Sequence, residues 1–340
     1  MTAVAMAIIG SSGHASRIVA PVIAEAAGAR LAGVLGSTPE RGSALAQRYP
    51  GARSYESLEA LCEDSMVDAV WVAGPNDRHA EHAHVCLSAG KHVLLEKPMA
   101  TTAEAAQRLA EVSVDTGTCL LVGFQHRFRP GHAWLRDAVQ SARFGEIGLL
   151  RIHRFWPFPY FPEMSGDPAA SWRSSPARSG GWVLNDIGAH LLDLARWVLD
   201  VPLELVCART TNVRFTDVDA EDTAVLVLQA PPRVTVVIET SNAMSSFPGA
   251  VELHGTAGWA RAGGTFDGGG WIDTDAGERL DFAAITASEV YGRALADFLG
   301  ALSGAPPHGA SATEAAETVA IVEAAVADRM TAPVEQVPVD

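Results

Sequence analysis

The chain is poor in cysteine and in positive charge, and it has no long apolar run. Its four cysteines, Cys62, Cys86, Cys119 and Cys207, lie far apart and form no CxxC pair. That excludes a zinc knuckle or a disulfide framework, and a reducing cytoplasm is the expected compartment. Lysine and arginine number 25 against 40 aspartates and glutamates, a net charge of −15, which opposes the phosphate contacts behind nucleic-acid affinity, so no nucleic-acid partner is expected. No apolar stretch approaches the roughly 20 residues that span a bilayer, and the first residues lack the basic flank of a signal peptide, so no membrane partner is expected either. What is present is 340 residues, 48% hydrophobic and 19% charged, enough for about two globular domains with a substantial core.

From residue 3 to about 122, the apolar runs AVAMAII, RLAGVL, VDAVWVA, KHVLLE and TCLLVG alternate with helix-length amphipathic stretches. Near-continuous apolar strands of this kind are buried on both faces, which predicts an α/β fold with a doubly wound parallel sheet over residues 1–123. After about residue 145 the runs LLRIHRFW, LELVCARTTNVRF, TAVLVLQA, RVTVVIETSN and AVELHG are longer and joined by short turns. They predict a second α/β domain, residues 124–340, on a large open, mainly antiparallel sheet. Helical stretches at about 288–303 and 311–329 close the chain and are candidates to pack back on the first domain.

The first strand ends in Gly10-Ser11-Ser12-Gly13-His14-Ala15 before an amphipathic helix, a tight turn at a helix N-terminus where a pyrophosphate can sit. Ser12 stands where GxGxxG has its middle glycine, and its hydroxyl is a candidate phosphate ligand. NAD-preferring Rossmann proteins carry an acid at the end of the second strand. Here strand 31–35 runs instead into Gly36-Ser37-Thr38-Pro39-Glu40-Arg41. Ser37, Thr38 and Arg41 are placed to receive a 2′-phosphate, which favours NADP over NAD.

Several further motifs agree with one another in order and spacing. Glu96-Lys97-Pro98 follows the strand HVLL; Gly74-Pro75-Asn76-Asp77-Arg78-His79 follows another; Gly123-Phe124-Gln125-His126-Arg127-Phe128 leads into the second domain. The run Ser179-Gly180-Gly181-Trp182-Val183-Leu184-Asn185-Asp186-Ile187-Gly188-Ala189-His190 ends with Leu191-Leu192-Asp193. Together they resemble the EKP, TPNxxH and SGGGxxxDxGxHxxD segments of the Gfo/Idh/MocA oxidoreductase family, with Gly74 for a threonine and Trp182 for the third glycine. The resemblance implies a Rossmann domain binding NAD or NADP and a second domain whose sheet often forms subunit contacts. It implies sugar, cyclitol or polyol substrates, and Lys97, Asp186 and His190 as active-site residues. By position it adds Pro75, Asn76, His79, Glu96 and Lys97 to the cofactor site, beside Gly10, Ser12, Gly13, His14 and Ala15.

These residues suit the chemistry, because oxidising an alcohol requires a base for the hydroxyl proton while hydride leaves for the nicotinamide. Asp186, His190, Asp193 and Trp197 share one helical face, so Asp186 is expected to orient the His190 imidazole. An ordinary pKa of about 6.5 against about 10.4 favours His190 as base and Lys97 as orienting donor or relay, although the residues alone leave the two roles open. A lone Lys-Pro or an Asp-His pair four apart is ordinarily a loop or a surface pair; the shared order and spacing is what makes them a site. His79, His82 and His84 do not form a metal cluster, since His82 and His84 point different ways on a helix, and no metal is expected. The dense aromatics Phe155, Trp156, Phe158, Tyr160 and Phe161, interrupted by prolines, form a stiff loop that either walls the cleft or packs on its own sheet. Substrate contacts are expected from Lys97, Arg127, Trp156, Tyr160, Trp172, Asp186 and His190. A sheet with one face left to cover predicts a homodimer or homotetramer. Competing functions are a glycosidase using transient redox at bound NAD and a non-catalytic dinucleotide sensor; retention of Lys97, Asp186 and His190 together argues against the sensor.

Overall fold

The computed structural model describes residues 3–11, 13–160, 171–245 and 248–328; Ser12 and Phe161 lie outside them. The first half alternates strand and helix. It comprises β1 (Val4–Ile9), a π-helical turn Ala15–Val19 leading into α1 (Ala20–Glu25), β2 (Ala29–Leu35), α2 (Pro39–Ala46), β3 (Arg53–Tyr55), α3 (Leu58–Glu63), β4 (Ala69–Val72), α4 (Asn76–Ser88), β5 (His92–Leu95), α5 (Ala103–Thr116) and β6 (Leu120–Val122). All six strands are parallel, and β1 lies between β2 and β4. The chain reverses its winding there, so the carboxyl ends of β1 and β4 open a crevice of the kind in which doubly wound sheets bind ligands. Pro21 sits at the start of α1; without an N–H it cannot extend the regular ladder, and the turn before it is widened.

The second half holds α6 (Pro130–Gln140), β7 (Ile147–Phe155), the short α7 (Pro176–Ser179), a second π-helical turn Leu184–Gly188 leading into α8 (Ala189–Leu199), β8 (Glu204–Thr211), β9 (Thr223–Ala230), β10 (Val234–Ser241), β11 (Ala250–Gly255), β12 (Gly258–Gly263), β13 (Gly270–Thr274) and β14 (Arg279–Phe282). Among the described residues its eight strands run in the order β14-β13-β12-β11-β7-β10-β9-β8, antiparallel except for the β7–β10 pair. Period-2 alternation points Leu226, Leu228, Val236 and Ile238 inward, where they form one core with Leu191, Leu194 and Val198 of α8. The opposite face carries Val225, half-exposed Trp259 and an ion-pair ladder of Arg151 with Glu239 and Glu252.

Three closing elements return to the first sheet: α9 (Ala287–Leu302), β15 (Ala310–Ser311) and α10 (Ala312–Asp328). Tyr291, Leu295 and Phe298 of α9 pack with Met6, Ile8 and Trp71 under one face. Ala315, Ala316 and Val319 of α10 pack with Leu109 and Leu120 under the other, and β15 pairs antiparallel with β6. Farther along α10, Val322 and Ala325 join the core of the second sheet, so this helix belongs to both layers.

Candidate active site

Gly10 ends β1 with φ +133°, and a Cβ there would stand 2.7 Å from the Ala73 carbonyl oxygen beyond β4. Only glycine lets the two strand ends approach so closely. Gly13, at φ +52°, has nothing within 4 Å of a Cβ position. An open, glycine-lined turn before a helix N-terminus, at the reversal of the sheet, fits the pyrophosphate of a nicotinamide dinucleotide. Ser37 and Arg41 lie beside this turn: the Ser37 N–H reaches Ser11 Oγ at 3.4 Å, and Arg41 Nη1 reaches Ser37 Oγ at 3.4 Å. The Thr38 hydroxyl caps α2.

From the turn, a cleft of about 200 Å³ runs past Asn76, Glu96 and Lys97 to Asp186 and His190. Glu96 Oε1 accepts from Trp71 Nε1 at 3.2 Å and lies 3.3 Å from His14 Nε2. Burial pushes the Glu96 carboxyl up, but the histidines and the indole outweigh it and hold the group below its ordinary pKa. The His14 ring is held in turn against Tyr291 of α9, with ring centroids 4.7 Å apart.

Lys97 crosses the cleft to the second π-turn, donating from Nζ to the Asn185 carbonyl at 3.1 Å and the Asp186 carbonyl at 2.9 Å. Burial lowers the Lys97 pKa, while the Asp186 charge opposes that shift. His190 is lowered well below its ordinary value by burial and by the positive charges of Lys97, Arg154 and Arg129. Its Nδ1 has no hydrogen-bond partner among the described residues, and the ring packs edge-on against His126 and Phe124.

Asp186 does not orient His190, as its spacing predicts. The step from 186 to 190 crosses a π-turn, which breaks the i,i+4 register on which that expectation rests. The Asp186 carboxylate instead lies 3.7 Å from Arg173 Nε, and with burial it raises the Tyr160 phenol well above 10. The buried Glu221 braces this turn, its Oε1 accepting from the Trp182 and Leu184 N–H groups at 2.9 and 3.0 Å.

Arg127 is a second correction. It faces away from the cleft wall, buried in an ion pair with Asp193 and joined by Glu314 of α10. Asp193 therefore serves packing, not the cleft. His79 lies at the cleft but with both ring nitrogens turned to backbone carbonyls: Nδ1 is 2.8 Å from the Pro98 carbonyl oxygen and Nε2 is 2.9 Å from that of Gly74. Burial lowers its pKa, so the ring is neutral with a single N–H and donates to one of these carbonyls; both nitrogens face the protein, not the cleft opening. Ala15 is buried beneath the turn, and Pro75 caps α4. The aromatic loop does both things open to it: Trp156, Tyr160 and Trp172 line the cleft, whereas Phe158 packs on Trp182. Trp182 fills that small core, which accounts for a bulky residue where the family motif has glycine. Among the described residues, no group of three or more His, Cys, Asp or Glu is arranged to hold a metal ion, and no helix is long and apolar enough to cross a membrane.

Two family models match the chain: "Oxidoreductase family, NAD-binding Rossmann fold" over residues 4–124 and "GFO/IDH/MocA C-terminal domain" over residues 132–261. The chain belongs to the Gfo/Idh/MocA oxidoreductase family. It is similar to inositol 2-dehydrogenase 2 of Saccharopolyspora erythraea, 34% identical over 62% of this chain and 59% of that one. It is also similar to 1,5-anhydro-D-fructose reductase of Ensifer adhaerens, 34% identical over 58% of each. The matched region thus spans less than two thirds of either relative. The fold is shared with aldose-aldose oxidoreductase from Caulobacter crescentus complexed with glycerol, at a TM-score of 0.84, 22% identity and coverage of 96% of this chain and 98% of that one.

Proposed function

We propose that the protein is an NAD(P)-dependent oxidoreductase acting on a CH–OH group of a sugar, cyclitol or related polyol, or on the corresponding ketone. The observation that carries this reading is the meeting of Lys97, Asp186 and His190 across one cleft from the glycine turn, although they come from different domains. A bound nicotinamide supplies the hydride acceptor, or the donor in the reverse direction. His190, neutral in its positive surroundings, takes the hydroxyl proton, and Lys97, anchored on two carbonyls, directs its ammonium at the substrate oxygen. Trp156 and Trp172 offer aromatic faces to the C–H faces of a sugar ring.

The cofactor is NADP ahead of NAD: no carboxylate ends β2, and Arg41 reaches Ser37 at the place for a 2′-phosphate. The protein works in the cytoplasm as a homodimer or homotetramer, a reading supported by its cysteines, all free thiols even where Cys62 and Cys86 meet at 3.7 Å, and by the outward face of the second sheet with Val225 and Trp259.

A screen of polyols and ketoses that follows the reduced nicotinamide tests the activity. Lys97→Ala and His190→Ala should each lower turnover by roughly a hundredfold while cofactor affinity stays within a few-fold. Near-normal turnover in either variant removes that residue from the mechanism, and absence of net cofactor turnover with every substrate favours transient redox in a glycosidase. Fluorescence titration of NAD and NADP decides the cofactor: tighter NAD binding, or unchanged NADP affinity in Arg41→Ala, counts against NADP.

A further inference from the structure

Beyond His190 the cleft opens into a second compartment of about 590 Å³, between the glycine turn, α9 and the second sheet. Four arginines line it, Arg17, Arg129, Arg154 and Arg173, and among the described residues none of the lining ones is a carboxylate. This is the reverse of the chain as a whole, in which acids outnumber bases 40 to 25. Asp267 pairs with Arg154 at 2.9 Å from outside the wall, and Asp186 stands off Arg173 at 3.7 Å.

The hydrogen-bond inventory at His126 leaves donors over. Arg129 Nε lies 3.1 Å from its Nδ1 and Arg154 Nη1 lies 3.2 Å from its Nε2. A neutral imidazole has one acceptor nitrogen, so it can satisfy only one of the two guanidinium groups. Protonation makes matters worse, and burial with the neighbouring charges keeps His126 neutral. Arg129 Nη1 is also buried with no partner among the described residues. Burial and the charge of Arg154 pull the Arg129 pKa down to about 10, still protonated at neutral pH. Among the described residues, Arg129 keeps a buried donor without a partner beside Arg154, whose own carboxylate partner Asp267 is not part of the lining, and such left-over cationic donors call for an anion.

We infer that this compartment receives an anionic group of the substrate, so that the substrate class is a sugar or polyol carrying a carboxylate or a phosphate, held by Arg129 and Arg154 while its hydroxyl carbon lies at His190. The inference rests on the oxidoreductase reading for the fate of that carbon, but not for the binding of the anion. A guanidinium fork matches either group in two-point contact.

The test is calorimetric titration of cofactor-saturated protein with D-gluconate, D-glucuronate, D-glucose 6-phosphate, D-glucose and myo-inositol. At least one anionic member should bind tenfold or more tighter than the neutral ones, and the preference should fall to within threefold in Arg129→Gln and Arg154→Gln while NAD and NADP affinities hold. Tighter binding by the acids names a carboxylate, and by the sugar phosphate a phosphate. Should either Gln variant fail to fold, Arg129→Lys keeps the charge without the fork, and a carboxylate preference should weaken there too. Equal or tighter binding of the neutral compounds overturns the inference. So does loss of dinucleotide affinity in the Gln variants, which would assign the arginines to the cofactor's phosphates. If the wild-type protein binds no dinucleotide, the oxidoreductase reading fails instead, and the same titration of the unloaded protein decides the anion site.

Discussion

Arg127 and Asp193 face each other in a fully buried two-point ion pair, with Nε 3.0 Å from Oδ2 and Nη2 2.6 Å from Oδ1. Arg127 follows β6 at the start of the second domain, Asp193 lies on α8, and Glu314 of α10 touches the same guanidinium at 3.3 Å. Burial raises the Asp193 pKa, and Arg127 opposes the rise without cancelling it. The pair thus ties together three segments that both layers of the protein need. Removing one partner strands a buried charge, so Arg127→Met should cost about 3–5 kcal/mol of unfolding free energy in a denaturant titration. The double variant Arg127→Met with Asp193→Leu should recover much of that loss. A single variant as stable as the parent would show that the ion pair carries little of the packing.

The two limbs of the pH–rate profile should move independently. Lys97, Arg154 and Arg129 all disfavour a proton on His190, so a His190 base stays active below pH 6.5 or so. Arg154→Gln removes one positive neighbour, raises the His190 pKa and should shift the acid limb upward. The Asp186 charge favours the proton on Lys97, so Asp186→Asn should lower the Lys97 pKa and move the basic limb down. An acid limb that moves with Asp186→Asn and not with Arg154→Gln would restore the Asp186–His190 pairing rejected above.

Acid should destabilise the fold through His132. Its Nδ1 lies 2.8 Å from the His126 carbonyl oxygen and its Nε2 2.9 Å from Thr265 Oγ1, and burial, the largest influence, lowers its pKa to about 3. Between that value and the ordinary value near 6.5, the unfolded chain binds a proton that the folded one excludes. The stability from a neutral His132 is therefore complete above about pH 6.5 and declines by about 1.4 kcal/mol per pH unit as the pH falls toward 3. Unfolding titrations of His132→Gln between pH 6 and 4 should show a slope shallower by one proton. An unchanged slope would mean that His132 takes up its proton without unfolding.

Two glycines of the turn should separate folding from binding. Gly10→Ala meets both a positive φ and the Ala73 carbonyl, so it should cost at least about 1–3 kcal/mol of stability. Gly13→Ala meets only the positive φ, with open space around it, and should cost about 1 kcal/mol. Its effect should fall on dinucleotide affinity, because the turn stands just before the helix N-terminus proposed to receive the pyrophosphate. Thermal melts with and without NADP distinguish the two; a Gly13→Ala protein that NADP stabilises as well as the parent would move the pyrophosphate elsewhere.

What could be read from the chain follows the reach of each signal. TAVLVLQA and AVELHG are strands at the positions their alternation predicts, and β1, β4, β5 and β6 fall within the apolar runs, with β2 beginning one residue before its own. The pieces β3, β13 and β14 are three to five residues long and too mixed in polarity to announce a period. That Lys97, Asp186 and His190 line one cleft was legible through motif spacing. The partner of Arg127 was not, because Asp193 is 66 residues away in the chain and no local pattern couples them. The π-turn at 184–188 was equally hidden, and it undid the helical-face argument for Asp186. Arg129 and Arg154 carry no motif: a basic residue on a loop and another on a strand become a charged wall only when the fold juxtaposes them.

The short strand Ala310–Ser311 on the edge of β6, with α9 and α10 on the two faces of the same sheet, bears on how the molecule is made. On a ribosome the first six strands emerge early, but their apolar faces keep gaps that residues 287–328 fill. The first sheet therefore gains its full cover and its last edge strand only from the end of the chain. Its packing is complete only once the intervening sheet domain has been made and the closing helices reach back across it.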